Sequence, residues 1–390
     1  MERRFEIKKK DILFVLLFLS FFQPRGWQNI PALSGIFFYY SIIVSIFLVF
    51  FVKWKIIKDP FLVSIWIYYA VYMIASIVNG ENVKYVFVKV IYFLIFFSFF
   101  DYSLNKDFFY IIKIMACISK GYIIINFVSA LIFPSGFGER IMDSDIRGYY
   151  FLGERNSILY ALIPMIAIII VNEYSKKDTL NAKAIFYYIL VLLSVIISGS
   201  STGIFVTIAL GIMFLYVLYG GSFNFKILLV IYAILWIFIV LFQYTNIVAE
   251  YVAPLFGKTG SRAITFSQRT TLWYSALELV KQKPLLGYGG WLENHIVFFK
   301  NVNLYSAHNA ILQLLLDAGI CGLVSIIGCC WTNLFFLKKM SFSRKRQIII
   351  SAIFCYLVYL LMEACEFRYF LMFMMLLKLL PEEKEQVFTE

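Results

Sequence analysis

The sequence predicts an all-α fold, a polytopic helical membrane protein with about 12 transmembrane helices. Three observations predict it. Of 390 residues, 62% are hydrophobic and 15% charged, with a mean hydropathy of +0.83; soluble domains hold about 45–50% apolar residues, so this excess has no core to enter. Apolar runs of about 20 residues recur, each long enough to cross roughly 30 Å of hydrocarbon as a helix. The third observation is that the alternating pattern of a membrane β-barrel is missing. Backbone polar groups in lipid need partners within their own segment, which leaves helices.

In chain order the spans are expected at 11–29, 31–52, 60–79, 84–102, 108–133, 156–173, 181–199, 201–220, 225–248, 307–337, 347–364 and 367–380. The first follows Arg3, Arg4 and Lys8 to Lys10 but ends in Phe21-Phe22-Gln23-Pro24, without a small-residue cleavage site, so it is expected to stay as a helix. The whole chain, 1–390, reads as one membrane domain, without internal repeats. Its six cysteines fall in or beside apolar runs and read as small apolar residues.

The net charge of +12 would suit nucleic acid, but its placement excludes that partner. The basic residues sit in short connections: Lys53, Lys55 and Lys58; Lys106; Lys176, Lys177 and Lys183; Lys226; and Lys338 to Arg346. These are alternate loops, as the positive-inside bias requires, which puts both termini in the cytoplasm. Two connections on the other side keep arginines against that bias. One, at about 134–155, holds Arg140, Arg147 and Arg155. The other, at about 249–306, is the large external loop, with Arg262, Arg269 and His295 in it and His308, the second of the two histidines, just beyond it.

Within that loop, about 267–282 reads as an amphipathic helix capped by Ser267 and ended by Pro284. Trp273, Ala276, Leu277 and Val280 share one face, which is expected to lie on the membrane surface. The chain re-enters the membrane at His308, and Asn309, Gln313 and Asp317 follow at four-residue spacing as a polar stripe on one helix. A charge at mid-membrane costs about 2.5–3.5 kcal/mol on insertion scales, so Asp317 is expected to face protein or a wet cavity. Asp143-Ser144-Asp145 is too short a match to argue for a metal, and neither a metal nor a cofactor is expected.

Together these residues form a recognisable constellation. Ser267-Gln268-Arg269-Thr270-Thr271-Leu272-Trp273, then Lys283-Pro284-Leu285-Leu286-Gly287-Tyr288-Gly289, then Ala307-His308-Asn309 with Gln313 and Asp317-Ala318-Gly319, resembles the signature of the O-antigen polymerase and O-antigen ligase superfamily of bacterial envelope enzymes. Ser198-Gly199-Ser200-Ser201-Thr202-Gly203 resembles that family's Ser-Gly-Ser-Arg-Thr-Gly segment, with Ser201 where many members have arginine. The resemblance implies a fold similar to the C-type glycosyltransferases, in the bacterial cytoplasmic membrane with the active site on its outer face. It implies a donor glycan carried on undecaprenyl diphosphate and transferred to a sugar hydroxyl, with membrane lipid around the enzyme and a polysaccharide chain-length regulator as a candidate partner.

The residues suit that chemistry. An arginine fork matches phosphate oxygens, which makes Arg269 the first candidate for the diphosphate, with Arg147 and Arg262 as helpers. Histidine is the side chain best placed to take a hydroxyl proton near neutral pH, which makes His308 the candidate general base. Asn309, Gln313 and Asp317 read as supporting polar groups. His295 matches no motif and reads as a loop residue. The leading expectation is a polymerase of lipid-linked repeat units of O-antigen or capsule type. The alternatives are an O-antigen ligase acting on lipid A core and, from another class, a lipid-linked glycan flippase. A transporter would show inverted repeats and charges buried in both halves, whereas here the polar signals gather in two loops.

Overall fold

The computed structural model describes residues 9–28, 31–50, 59–81, 83–142, 145–177, 181–242, 269–290, 297–299, 302–304, 306–337 and 343–381. Helices α1 (Lys9–Leu19), α2 (Arg25–Gln28), α3 (Pro31–Val49), α4 (Pro60–Asn79), α5 (Val83–Ile132), α6 (Leu159–Lys177), α7 (Ala182–Ser198), α8 (Ser201–Leu218) and α9 (Phe225–Trp236) follow one another, α9 running on as a π-helical turn to Leu241. After these come α10 (Arg269–Gln282), α11 (Ala310–Leu337), α12 (Arg344–Leu360) and α13 (Arg368–Leu379). Four of them, α4, α5, α8 and α11, are long and apolar enough to cross a membrane, and shorter apolar helices lie within α3, α6, α7 and α9. The chain is an integral membrane protein of helical build.

Local signals set several helix limits. Asp59 caps α4 through Phe61 N–H with Pro60 in the first turn, and Gly80 closes it in the left-handed region at φ 69°. Asn181, Ser200 and Asn224 cap α7, α8 and α9 in the same way. The expected spans 84–102 and 108–133 are the two limbs of α5, which breaks at Asp107 (φ −159°, ψ 84°), where Asp107 Oδ1 accepts from Tyr110 N–H at 3.0 Å.

One expectation needs correction here. The first span, 11–29, is not one helix: α1 stops at Leu19, and a turn through Ser20 to Pro24 separates it from α2. Phe21 and Phe22 leave the helix to pack inward, with the Phe21 ring 4.4 Å from that of Phe96 and nearly parallel to it, and edge-on to Tyr369. The fold also carries short strands. Strands β1 (Phe137–Met142), β2 (Asp145–Tyr150) and β3 (Gly153–Glu154) form an antiparallel sheet between α5 and α6, and β4 (Val297–Phe299) pairs with β5 (Val302–Leu304).

The core is built around α6 and α13. Nearly every residue from Ile158 to Tyr174, and every residue from Arg368 to Lys378, is buried. A helix apolar on all sides belongs inside a bundle; α5 and α12 pack against both, while α3, α8 and α9 expose isoleucines and phenylalanines outward. Polar contacts gather at two ends. At one, α13 ends in Lys378 paired with Asp59, Gln347 accepts from Phe223 N–H at 2.7 Å, and Arg344 reaches Tyr174. At the other lie α2, the β1–β3 sheet, the start of α8, α10 and the turn between α12 and α13. The candidate site is there.

Helix α11 is also interrupted, and the interruption builds that end. Gly319 takes φ 62° and ψ −160°. Where α11 would bond to itself, it exchanges hydrogen bonds with the turn after α10: Ile320 N–H donates to Pro284 O at 2.8 Å and Cys321 N–H to Leu285 O at 3.1 Å. In return Leu316 O accepts from Tyr288 N–H at 2.7 Å and Asp317 O from Gly289 N–H at 3.1 Å. Irregular backbone is tolerated in such a helix when its polar groups are satisfied again in this way. Glycine is required at both crossings, since a Cβ on Gly287 would lie 2.3 Å from Leu316 O and one on Gly319 2.2 Å from Leu285 O. Gly319→Ala should therefore displace the turn and α10 with it. The positive-φ, extended-ψ backbone at Gly319 alone costs an ordinary residue about 1–3 kcal/mol. Limited proteolysis should find the 284–290 segment cut at least several-fold faster in the variant than in wild type.

Candidate functional site

The site forms where three elements meet: the first residue of α10, the turn before α11, and the turn between α12 and α13. Arg269 opens α10. Trp273, Ala276 and Leu279 on that helix are buried against Val240, Ala307, Leu312, Leu315 and Leu316 in a small second core. The apolar face thus rests on protein, with Trp273 fully buried, which corrects the expectation that it lies on the membrane surface. The physical reason is the neighbouring α11, whose Leu312, Leu315 and Leu316 offer a drier partner than headgroups do. Ser267, the expected cap, lies outside the described residues.

His308 precedes α11 and takes φ 45°, the positive value that side chains rarely adopt outside glycine. Among the described residues it is the single non-glycine of that kind, and strained backbone of this sort is held only when its surroundings fix it. They do so here through the polar stripe. Asn309 is fully buried and caps α11, its Oδ1 accepting from Leu312 N–H at 2.9 Å and from Trp236 Nε1–H at 3.1 Å. Its Nδ2 donates to Leu361 O at 3.0 Å. Gln313 Oε1 accepts from Ala307 N–H at 3.0 Å, and Gln313 Nε2 donates to Asp317 Oδ1 at 2.9 Å. Asp317 is 2% exposed and faces protein. The stripe grips the backbone on both sides of His308 and ties it to α12.

Glu363 joins the two halves. It stands in the α12–α13 turn, two residues after Leu361, and is buried. Its Oε1 accepts from Arg269 Nη2 at 2.6 Å, and its Oε2 lies 3.7 Å from His308 Nδ1. The second distance is too long for a hydrogen bond and acts through charge. His308 Nδ1 is buried while the side chain as a whole is 41% exposed, so the rest of the ring faces outward. One ring nitrogen thus lies near a carboxylate without a hydrogen bond to it, while the other side of the ring is open to an incoming group.

Burial opposes the charged form of Glu363, but Arg269, then His308 and Arg25, overcome it and hold the carboxyl below the usual carboxylate range. Three residues on, Glu366 behaves alike: burial raises it, and Lys89 at 2.9 Å with Arg368 and Arg25 brings it down to about 2. A carboxylate depressed on folding gives stability that is present above its unfolded value and lost as pH falls through its folded one. The ion pair at Glu363 should therefore hold throughout the neutral and mildly acid range. Thermal melts should keep wild type above Glu363→Gln from pH 7 to about 5.5. The gap should narrow only below about pH 4, the ordinary carboxylate range.

The remaining expected residues divide. Arg147 belongs to β2, and its side chain lies outside the described residues, as do Arg262 and His295 altogether. Glu363 was missed from the sequence. Its signal is present, as Glu363 interrupts the apolar pattern at the end of the expected span 347–364 and Glu366 follows just beyond it, on the side where the arginines lie.

Residues 186–327 match the family model described as O-antigen ligase. The match agrees with the resemblance to the O-antigen polymerase and ligase superfamily that the motifs carry. It contains Arg269, His308, Asn309, Gln313 and Asp317, while Glu363 and the arginines at 25, 147 and 155 lie outside it. Among curated proteins none matches this chain.

Proposed function

We propose that the chain is a glycosyltransferase that polymerises lipid-linked repeat units of a surface polysaccharide, moving a glycan from undecaprenyl diphosphate to a sugar hydroxyl of the acceptor. The observation that carries the reading is the meeting of Arg269 and His308 on Glu363 within the end of the bundle that the family segment helps to build. In this account the helices make about twelve crossings in a C-type glycosyltransferase architecture. The site end faces outward from the cytoplasmic membrane, and the termini face in.

The chemistry follows from the geometry. The outward side of the His308 ring takes the proton of the acceptor hydroxyl, whose oxygen attacks the anomeric carbon of the donor sugar. The bond from that carbon to the diphosphate oxygen breaks, and undecaprenyl diphosphate leaves with the electron pair. Arg269 spends one N–H on Glu363 and directs the rest of its fork at the departing charge. Arg147 and Arg262 are its proposed helpers. A lipid diphosphate leaves readily, so a general acid is not required.

The family description favours one second reading, an O-antigen ligase with lipid A core as acceptor. Purified protein given lipid-linked repeats alone, or repeats with lipid A core, separates the two. A ladder of longer lipid-linked glycans from repeats alone supports the polymerase. Transfer seen only when core is added would replace it by the ligase.

A further inference from the structure

Ser201 stands at the first position of α8, where the resembling segment has arginine in many members. We propose that Arg155, arriving from the loop after β3, supplies the missing cation there and binds the diphosphate of the lipid-linked donor. The inference rests on the proposed function and assigns a binding residue that lies outside the family-matched segment.

The geometry is local. The Arg155 guanidinium lies flat over Gly199: a Cβ built on that glycine would meet Nη2, Cζ and Nε at 3.5, 3.7 and 3.8 Å. Arg155 Nη2 donates to Gly199 O, its one hydrogen bond among the described residues, and it forms no ion pair with a described carboxylate. The side chain is exposed. A guanidinium offers five N–H donors, so the fork keeps most of its capacity for a phosphate.

Its position is fixed by its neighbour. Asn156 Oδ1 accepts from Ser200 Oγ at 3.0 Å, and the same Ser200 hydroxyl caps α8 by accepting from Gly203 N–H. Asn156 O in turn accepts from Tyr359 OH at 3.1 Å. The loop is thereby clamped to the start of α8 on one side and to α12 on the other. Tyr359 is four residues before Glu363. Gly153 of β3, just before the loop, lies against Arg25, whose charge acts on Glu363, so Arg155 belongs to the same end of the bundle as Arg269 and His308. Chain connectivity differs from an arginine at 201, yet the charge arrives beside the same glycine.

The test uses purified full-length protein and undecaprenyl diphosphate as the probe, with undecaprenyl monophosphate for comparison. Arg155→Gln keeps an amide donor for Gly199 O while removing the charge and the fork. It should weaken undecaprenyl diphosphate binding about tenfold, a loss typical of a charge-assisted hydrogen bond to phosphate. Adding Ser201→Arg to that variant should restore binding to within about threefold of wild type. Arg155→Gln binding that matches wild type overturns the inference, as does a double variant no better than the single one. If wild type itself ignores undecaprenyl diphosphate, the proposed function falls, and that outcome is distinct from the other two.

Discussion

Replacing His308 with alanine is expected to leave a folded protein that still holds its lipid-linked donor and makes no polymer. The ring touches the fold lightly: its outer part is exposed, and Glu363 lies 3.7 Å from Nδ1. The backbone strain at φ 45° stays with the position whatever the side chain, because Asn309 and Gln313 hold the chain from either side. Removing a general base costs about 10²–10⁴-fold in rate. Single repeat units should therefore accumulate on the lipid. His295→Ala is the paired control and should keep near-normal transfer. Transfer by His308→Ala within a few-fold of wild type would reduce His308 to a structural turn residue and move the search for a base to Glu363 and Asp317.

The second large effect is expected at Arg269. Arg269→Lys retains a positive charge opposite Glu363 but loses the planar fork that can hold a carboxylate and a phosphate at once. Transfer should fall roughly 10²-fold or more, the scale seen when one donor to developing negative charge is removed, while the melting temperature stays close to wild type. Glu363→Ala should behave differently. It leaves the Arg269 guanidinium, 12% exposed, without its carboxylate. Stranding a buried charge costs about 3–5 kcal/mol, so this variant should lose stability along with activity. A fully active Arg269→Lys protein would mean that the arginine serves only its pair with Glu363.

How far the sequence reaches follows from whether a signal is local. Asp59 with Pro60, Asn181 and Ser200 mark helix starts by their own chemistry, and α4, α7 and α8 begin within a residue of the expected places. The break after Leu19 has no such mark, because what draws Phe21 out of the helix is Phe96, on a distant stretch of α5. Arg269 and His308 stand out in the sequence through their motif and spacing, and the fold brings both against Glu363. Glu363 itself does not stand out, since it is 55 residues beyond His308 in a turn that reads as the edge of an apolar run. The exchange between Gly287 and Gly319 is also non-local: the sequence shows two glycines, and only the fold shows that each is pressed against the other's segment. The strands β1 to β3 escaped notice because six-residue pieces such as Phe137–Met142 are charged and glycine-broken, without the alternation that marks a strand.

The central claim is that the end of the bundle holding Arg269, Glu363 and His308 makes a glycosidic bond at the expense of a lipid diphosphate. Its most direct test is the stoichiometry of that reaction in vesicles containing the purified protein and lipid-linked repeat units. One undecaprenyl diphosphate should be released for each glycosidic bond formed, and neither should appear with His308→Ala. Release of the lipid diphosphate without chain growth, or growth undiminished in that variant, would contradict the account.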